Sequence, residues 1–136
     1  MRDWIYNLGV LVLRVVAGGM MFALHGFQKI EMIIKGEFGE FPNPIGLGSA
    51  LSLYVSGIAE SVIALFLVFG FWTRFSALIL SINMFVAIYW HCAINNGGIE
   101  LPLIYMLMYI VIVILGGGDI SIDSTIKHRK FLKNKL

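Results

Sequence analysis

Four long apolar stretches, separated by short polar or glycine-rich segments, dominate the pattern along this chain. They extend over about Trp4 to Leu24, Ser49 to Phe71, Phe75 to Ile94 and Leu101 to Leu115. A helix that crosses a bilayer needs about 20 mostly apolar residues. The fourth stretch is shorter than the others, but Gly116 to Gly118 can extend it. The pattern therefore predicts four membrane-spanning helices.

Glycine, proline and asparagine mark the connections between these stretches. The segment Lys35 to Gly48 holds two of the three prolines and several glycines, which predicts a loop. Phe71 to Arg74 and Asn95 to Gly98 are predicted turns, and Gly116 to Asp119 ends the last helix. In Gly26 to Lys35 apolar residues recur at helical spacing, so this segment either continues the first helix or lies along the membrane interface.

The composition supports a membrane location. Hydrophobic residues make up 59% of the 136 residues and charged residues 13%, whereas a soluble domain carries roughly 25% charged residues. A soluble domain of this size could not bury so much apolar surface. The first stretch is too long for the apolar region of a signal peptide, so we expect it to be retained. With Cys92 as the single cysteine, chemistry through a paired thiol within the chain is excluded.

Lysine and arginine are distributed unevenly between the two predicted sides of the membrane. Nine lysines and arginines lie outside the predicted spans: seven on the side of the termini and two on the other side. They are Arg2, Arg74, Lys127, Arg129, Lys130, Lys133 and Lys135 on the first side, and Lys29 and Lys35 on the second. Positive residues favour the cytoplasm. The chain is thus predicted to be an all-α integral membrane four-helix bundle of the inner (plasma) membrane, with both termini cytoplasmic. Residues 1–123 form its transmembrane domain and residues 124–136 a basic tail.

Two opposite charges fall inside predicted spans. Arg14 lies near the middle of the first and Glu60 near the middle of the second. An unpaired charge at that depth costs at least about 2.5–3.5 kcal/mol. We therefore expect Arg14 and Glu60 to form an ion pair that faces the interior of the bundle. The pair is either a structural clasp between two helices or part of a functional site.

A polar stripe leads from Arg14 toward the outer end of the first span. His25 follows Arg14 by eleven residues, which is about three helical turns and places both on one face. Gln28 continues that face, and Lys29 is adjacent. The other spans offer further polar residues at their outer halves, namely Asn83, His91 and Tyr105. These positions predict a polar pocket that opens outward above Arg14 and Glu60.

The residue types in this pocket suggest their roles. We expect the proton-exchanging residues to be Glu60, His25 and His91, and the ligand-binding residues to be Arg14, Gln28, Lys29, Asn83 and Tyr105. Alternatives stay open: the histidines and Tyr105 also suit the membrane interface, and Asn83 suits a hydrogen bond between helices. His25, His91 and Glu100 could in principle bind a metal, but the usual local spacing of ligands is absent, so no metal is expected.

Three motifs resemble those of the DoxX family of small membrane proteins. They are LRVVAGGMMFALHGFQKI (Leu13 to Ile30), GIAESVIALFLVFGFWTRFSALIL (Gly57 to Leu80) and GGGDISIDS (Gly116 to Ser124). The resemblance implies a four-helix membrane bundle related to quinone-linked thiosulfate oxidoreductases of respiratory membranes. The family residues that map here are Arg14, His25, Gly26, Lys29, Glu60, Thr73 and Arg74. The sequence lacks two features that would indicate redox chemistry of its own, since it has neither a cysteine pair nor a cofactor motif.

The leading functional hypothesis is a membrane subunit of a respiratory or redox-stress system that binds a quinone. Because no built-in redox cofactor is evident, a partner protein or a soluble reductant would have to supply the electrons. The partners considered are the lipid bilayer, a redox partner protein and a second copy of the chain, but no nucleic acid. Two alternatives are a non-enzymatic scaffolding subunit and a small transporter or lipid-binding protein.

Overall fold

The computed structural model describes residues 2–133, which form helices and no strand. The α-helices are α1 Arg2–Met21, α2 Phe27–Lys35, α3 Ser49–Ile58, α4 Ala64–Phe69, α5 Thr73–Ala93, α6 Glu100–Leu115 and α7 Ile122–Lys133. A π-helical turn, Phe22–Gly26, joins α1 to α2, and another, Ala59–Ile63, joins α3 to α4. A short 3₁₀ turn covers Phe38–Glu40. Lys135, which was counted in the charge distribution, lies outside the described residues.

The first helix is longer than its apolar stretch predicts. It continues through the π-helical turn as one rod over Asp3–Lys35, beyond the end of the apolar stretch near Leu24. Of the two interpretations of the amphipathic segment, continuation of the helix is confirmed. The rod ends where Gly36 takes a left-handed conformation, with φ of 74°, and donates its N–H to the carbonyl of Ile33.

Three helical rods are long and apolar enough to cross a membrane: Asp3–Lys35, Ser49–Phe69 and Thr73–Ala93. The helix α6 is also apolar but has 16 residues. Large hydrophobic side chains are exposed along all of these helices. Soluble monomers rarely expose contiguous apolar surface on this scale, so the exposed side chains indicate a lipid environment and a multi-pass membrane protein.

The first two rods pack antiparallel through glycines. A Cβ built on Gly18 would lie 2.8 Å from the carbonyl oxygen of Ala64, and one on Gly26 would lie 2.2 Å from that of Glu60. Only small residues let membrane helices approach this closely. The remaining helices close the bundle, because α5 packs on α4 and α6, and α6 packs on α1. The core between them contains Ala17, Met21, Leu67, Leu80, Tyr109 and Ile112.

The glycines after α6 do not extend that helix, and the prediction that Gly116 to Asp119 ends it is confirmed. Gly116 and Gly118 have positive φ angles of 81° and 70°, which end the helix and turn the chain back against the bundle. The sequence beyond them, expected to be a polar tail, forms α7 from Ile122. We call the end of the bundle that holds this glycine turn the clasp end, and the end that holds residues 36–48 the loop end.

The clasp end is tied together by side chains from distant parts of the chain. The Asp123 carboxylate accepts hydrogen bonds from the backbone N–H groups of Trp72 and Thr73, both at 2.8 Å, and from the Thr73 hydroxyl at 2.7 Å. Asn7 donates to the Asp119 carboxylate at 2.7 Å and accepts from the Asp119 backbone N–H at 2.9 Å. The carboxylate of Asp123 therefore caps the start of α5 and fixes α7 to it.

Arg14 also belongs to the clasp end, and the predicted ion pair with Glu60 is wrong. The buried guanidinium donates to the carbonyl oxygens of Gly117 at 2.8 Å and Ile120 at 2.9 Å. It packs beside Gly70, which lies ten residues, or about 15 Å of helix, beyond Glu60. The prediction failed because the first rod is longer than expected, which shifts Arg14 away from the level of Glu60.

Candidate ligand-binding site

A cavity of about 670 Å³ lies in the half of the bundle nearer the loop end. Its walls come from α3, the π-helical turn Ala59–Ile63 and α5, and part of the loop over residues 36–48 completes it. The polar residues that line it are Lys29, Ser52, Ser56, Glu60, Asn83 and His91. The remaining lining is mostly apolar, which is typical of sites for small organic molecules.

The Glu60 carboxylate forms the polar centre of this cavity. Glu60 is 3% exposed. One carboxylate oxygen accepts hydrogen bonds from Asn83 Nδ2 at 2.8 Å and Ser56 Oγ at 3.0 Å, and the other pairs with Lys29 Nζ. Three helical rods of the chain thus meet at this carboxylate. The ammonium group of Lys29 compensates the buried charge, which would otherwise be costly.

Two π-helical turns set the position of Glu60. Glu60 is the second residue of Ala59–Ile63, and Gly26 of the other turn packs directly on its backbone. A π-helical turn inserts an extra residue into a helix and re-aims the following side chains, and such turns are frequent at functional sites. Gly57 leaves room for Lys29 and Ile33, because a Cβ there would lie 3.1 Å from the Ile33 side chain. The close approach of the α2 and α3 backbones at Gly57 therefore lets Lys29 reach Glu60.

Two buried polar atoms that belong to lining residues have no hydrogen-bond partner among the described residues. They are Nδ1 of His91 and Oγ of Ser52, and both residues line the cavity. A buried polar group that lacks a partner costs about 1–3 kcal/mol. Neither atom has accessible surface, and His91 Nδ1 lies beside Gly98, which does not line the cavity, so a ligand would reach these atoms only after the side chains rotate.

A family model described as DoxX matches residues 9–93 of the chain. This chain belongs to the DoxX family. Two proteins of Haemophilus influenzae, both described as uncharacterized, are similar to it. One is 35% identical over 124 residues, which cover 82% of this chain and 86% of the relative; the other is 37% identical over 93 residues, 64% of this chain and 62% of the relative. No solved structure matches the chain significantly.

The residues of the DoxX motifs separate into two groups in this structure. Gly26, Lys29 and Glu60 meet at the cavity. Arg14 and Thr73 lie at the clasp end, where they hold the glycine turn and α7 in place. The glycine turn lies beyond the matched region, yet it supplies carbonyl groups to Arg14. Two DoxX motif residues thus hold the clasp end together, and three lie at or against the candidate site.

Several residues predicted for the pocket lie elsewhere. Arg14 does not form its floor, because it lies at the clasp end. His25 contacts Tyr105, edge to face, with ring centroids 6.0 Å apart, and neither lines the cavity. Gln28 is exposed, and so is Glu100, which the sequence analysis considered as a possible metal ligand. The helical positions of these residues, predicted from spacing within each helix, did not account for the rotation of one helix relative to the next.

The sequence prediction missed two serines of the site. Ser52, Ser56 and Glu60 recur every four residues, so they form one polar stripe along α3 that continues into the π-helical turn. That spacing was a usable signal. It also missed the contribution of the loop, in which the Phe41 ring centroid lies 5.6 Å from Lys29 Nζ, a cation–π distance.

Proposed function

We propose that this DoxX protein binds a lipid-soluble molecule with carbonyl or hydroxyl groups on its head, and that a quinone is the ligand. The observation that carries the proposal is a mostly apolar cavity whose polar centre is the buried, hydrogen-bonded Glu60, with Ser52, Asn83 and His91 also among its lining residues. Its volume of about 670 Å³ lies within the range of about 300–1,000 Å³ that is typical of ligand sites.

The proposed membrane arrangement has four crossings. The helix α6, extended by its flanking loops, crosses beside the three longer rods, and both termini lie in the cytoplasm. Two features support this orientation: the lysines of α7 are exposed at the clasp end, and exposed aromatic residues such as Trp4 and Trp72 lie near that end as well. Basic residues and interfacial aromatics are typical of a cytoplasmic membrane boundary. The membrane concerned is the inner (plasma) membrane.

Different residues of the cavity would make different contacts with the ligand. A carbonyl oxygen of the head accepts hydrogen bonds from donors near the polar centre, for which Asn83 and His91 are suited. Histidine can also exchange a proton near neutral pH, and the pair of Glu60 and Lys29 lies in the same cavity. A bound quinone supplies the redox chemistry. A separate redox partner protein provides the electrons in the respiratory or redox-stress setting that we propose.

Trp90 lines the cavity and provides a direct assay for this proposal. Trp4 and Trp72 are replaced by Phe to leave Trp90 as the single tryptophan, and a quinone is titrated into the purified protein in nanodiscs while fluorescence is recorded. We expect saturable quenching. Asn83→Leu should weaken apparent affinity about tenfold, the cost of about one good hydrogen bond.

Two further measurements accompany this titration. Solvent extracts of the wild-type protein, analysed by mass spectrometry, should contain membrane quinone above the level found in the surrounding lipid. Gln28→Ala, a change at an exposed position outside the cavity, serves as the matched control and should leave quenching unchanged. Quenching that never saturates, together with quinone-free extracts, would favour a scaffolding role instead.

A further inference from the structure

The cavity is bordered on one side by residues that face the surroundings of the bundle. Val55 and Ile58 on α3 and Ile82 on α5 all line it, and they are 54%, 53% and 56% exposed. Buried or half-buried residues of the same helices, such as Ser52 and Asn83, lie deeper. The walls therefore run from a polar interior to an apolar, exposed rim between α3 and α5.

The other borders of the cavity are occupied by the chain itself. The π-helical turn Ala59–Ile63 packs against α5 and closes the cavity toward the clasp end. At the loop end, Phe41, Pro42, Pro44, Ile45 and Leu47 line the cavity. Among these, Phe41 covers Lys29 through its ring face. Phe41 thus shields Lys29 at that end, while Ile45 and Leu47, 56% and 51% exposed, continue the apolar border of the cavity there.

We infer that the cavity is entered sideways from the bilayer, between α3 and α5, and that its occupant is an amphiphile with a hydrocarbon tail. The tail lies along Val55, Ile58 and Ile82, and the head reaches Glu60 and Asn83. This inference rests on the proposed function for the chemistry of the head, but the route and the tail are separate claims. It replaces the outward opening that the sequence suggested.

The chemistry of the rim supports a hydrocarbon tail. Each of its exposed residues is a branched aliphatic side chain, and the exposed surface of these helices faces lipid, where apolar groups are at no disadvantage. A water-soluble ligand would have to pass the apolar loop and Phe41, whereas a molecule dissolved in the bilayer passes only apolar side chains. A tail that leaves through the rim remains in lipid while its head occupies the polar centre.

The test compares two ligands that share one head. They are a tail-less dimethoxy-methyl-benzoquinone and the same ring with a decyl tail, both titrated against the single-tryptophan protein. Val55→Phe combined with Ile82→Phe narrows the rim. Val62→Phe combined with Leu78→Phe is the control, because both residues are exposed on the same helical rods but do not line the cavity. The rim variant should lose at least tenfold in affinity for the tailed ring and change less than twofold for the tail-less ring, whereas the control should match the starting protein.

Photo-crosslinking locates the tail directly. A diazirine at the end of the decyl tail should label α3 and α5 near Val55, Ile58 and Ile82, as mapped by peptide mass spectrometry. Labelling confined to the loop at Phe41, or equal loss of both ligands in the rim variant, would overturn the sideways route. So would a cross-linked dimer that the rim variant converts to monomer, since a second copy would then occupy the rim.

The outcomes separate this inference from the proposed function. If neither ring binds but a tailed amphiphile with a different head does so through the same rim, the route stands and the quinone proposal fails. If the tail-less ring binds and the tail makes no difference, with no labelling at the rim, the quinone proposal stands and the route fails.

Discussion

Gly26 and Glu60 are in backbone contact where the two π-helical turns cross. A Cβ built on Gly26 would lie 2.2 Å from the Glu60 carbonyl oxygen, a distance that non-bonded atoms do not tolerate. The motif HGxxK therefore contains a glycine for steric reasons, and Lys29 follows it by one turn to reach the carboxylate of Glu60. The contact fixes the position of the polar centre of the cavity.

We predict that Gly26→Ala destabilises the protein by about 3 kcal/mol, because the clash is with backbone and cannot be relieved by a side-chain rotation. Gly19→Ala is the matched control, since no atom lies within 4 Å of a Cβ built at Gly19. That change should be neutral or slightly stabilising, as alanine favours helices over glycine. Unfolding by SDS in mixed micelles, followed by circular dichroism, measures both. Equal stability of the two variants would contradict the packing described here.

Double-mutant cycles should distinguish the observed partner of Glu60 from the one that the sequence suggested. Lys29→Met and Glu60→Gln should show a coupling energy of about 1 kcal/mol or more, because the two side chains pair. Arg14→Met and Glu60→Gln should be additive within about 0.5 kcal/mol, because they share no partner. The readout is the free energy of unfolding of each single and double variant. Strong coupling between Arg14 and Glu60 would contradict the clasp-end position of Arg14.

Asp123 should contribute to the stability of the protein without affecting its affinity for the ligand. Asp123→Ala removes the acceptor of three hydrogen bonds to Trp72 and Thr73, and we expect a loss of about 1–2 kcal/mol, the usual cost of a lost helix cap. Asp3→Asn, at an exposed carboxylate, should change stability by less than about 0.5 kcal/mol. Quinone affinity, measured by Trp90 quenching, should remain within twofold in both. A selective loss of affinity in Asp123→Ala would place part of the site at the clasp end.

His25 and His91 should differ in their effect on binding. His91→Ala removes a residue that lines the cavity, and we expect a loss of about tenfold in quinone affinity. His25→Ala removes a ring that contacts Tyr105 outside the cavity, so affinity should stay within twofold although stability falls. Titration of quinone with Trp90 quenching as the readout measures the affinity of both variants. A greater loss in His25→Ala would mean that the ligand contacts the His25–Tyr105 pair instead.

The sequence predicted the helices well because their signal is local. Ser49–Phe69, Thr73–Ala93 and Glu100–Leu115 fall within about two residues of the predicted stretches, and the turn before α5 and the loop before α3 were also found. The length of an apolar stretch and the glycines or prolines that flank it are enough to locate helices and turns, and both are visible within a short window of residues. The membership of Glu60, Lys29, Asn83 and His91 in a polar cluster followed from the cost of burying polar groups in lipid.

The partners within that cluster could not be read from spacing. The sequence analysis paired Glu60 with Arg14 and did not consider Lys29, because the true partner depends on how far one helix is offset along the other. That offset arises from a rod that continues to Lys35 and from two π-helical turns that shift the side chains. Apolar periodicity does not reveal an inserted residue in a helix, so Arg14 was assigned to the wrong level.

The sequence by itself determined that this is a helical membrane protein of the DoxX family and which of its side chains are too polar to face lipid. Hydropathy and the order of motifs are properties of the linear sequence, so they can be recognised without knowing how the helices pack. The tertiary structure alone decided that Lys29 neutralises Glu60, that Arg14 holds the glycine turn, and that a cavity remains between α3 and α5. Each of these depends on the relative rotation and offset of helices, which close glycine contacts fix in three dimensions.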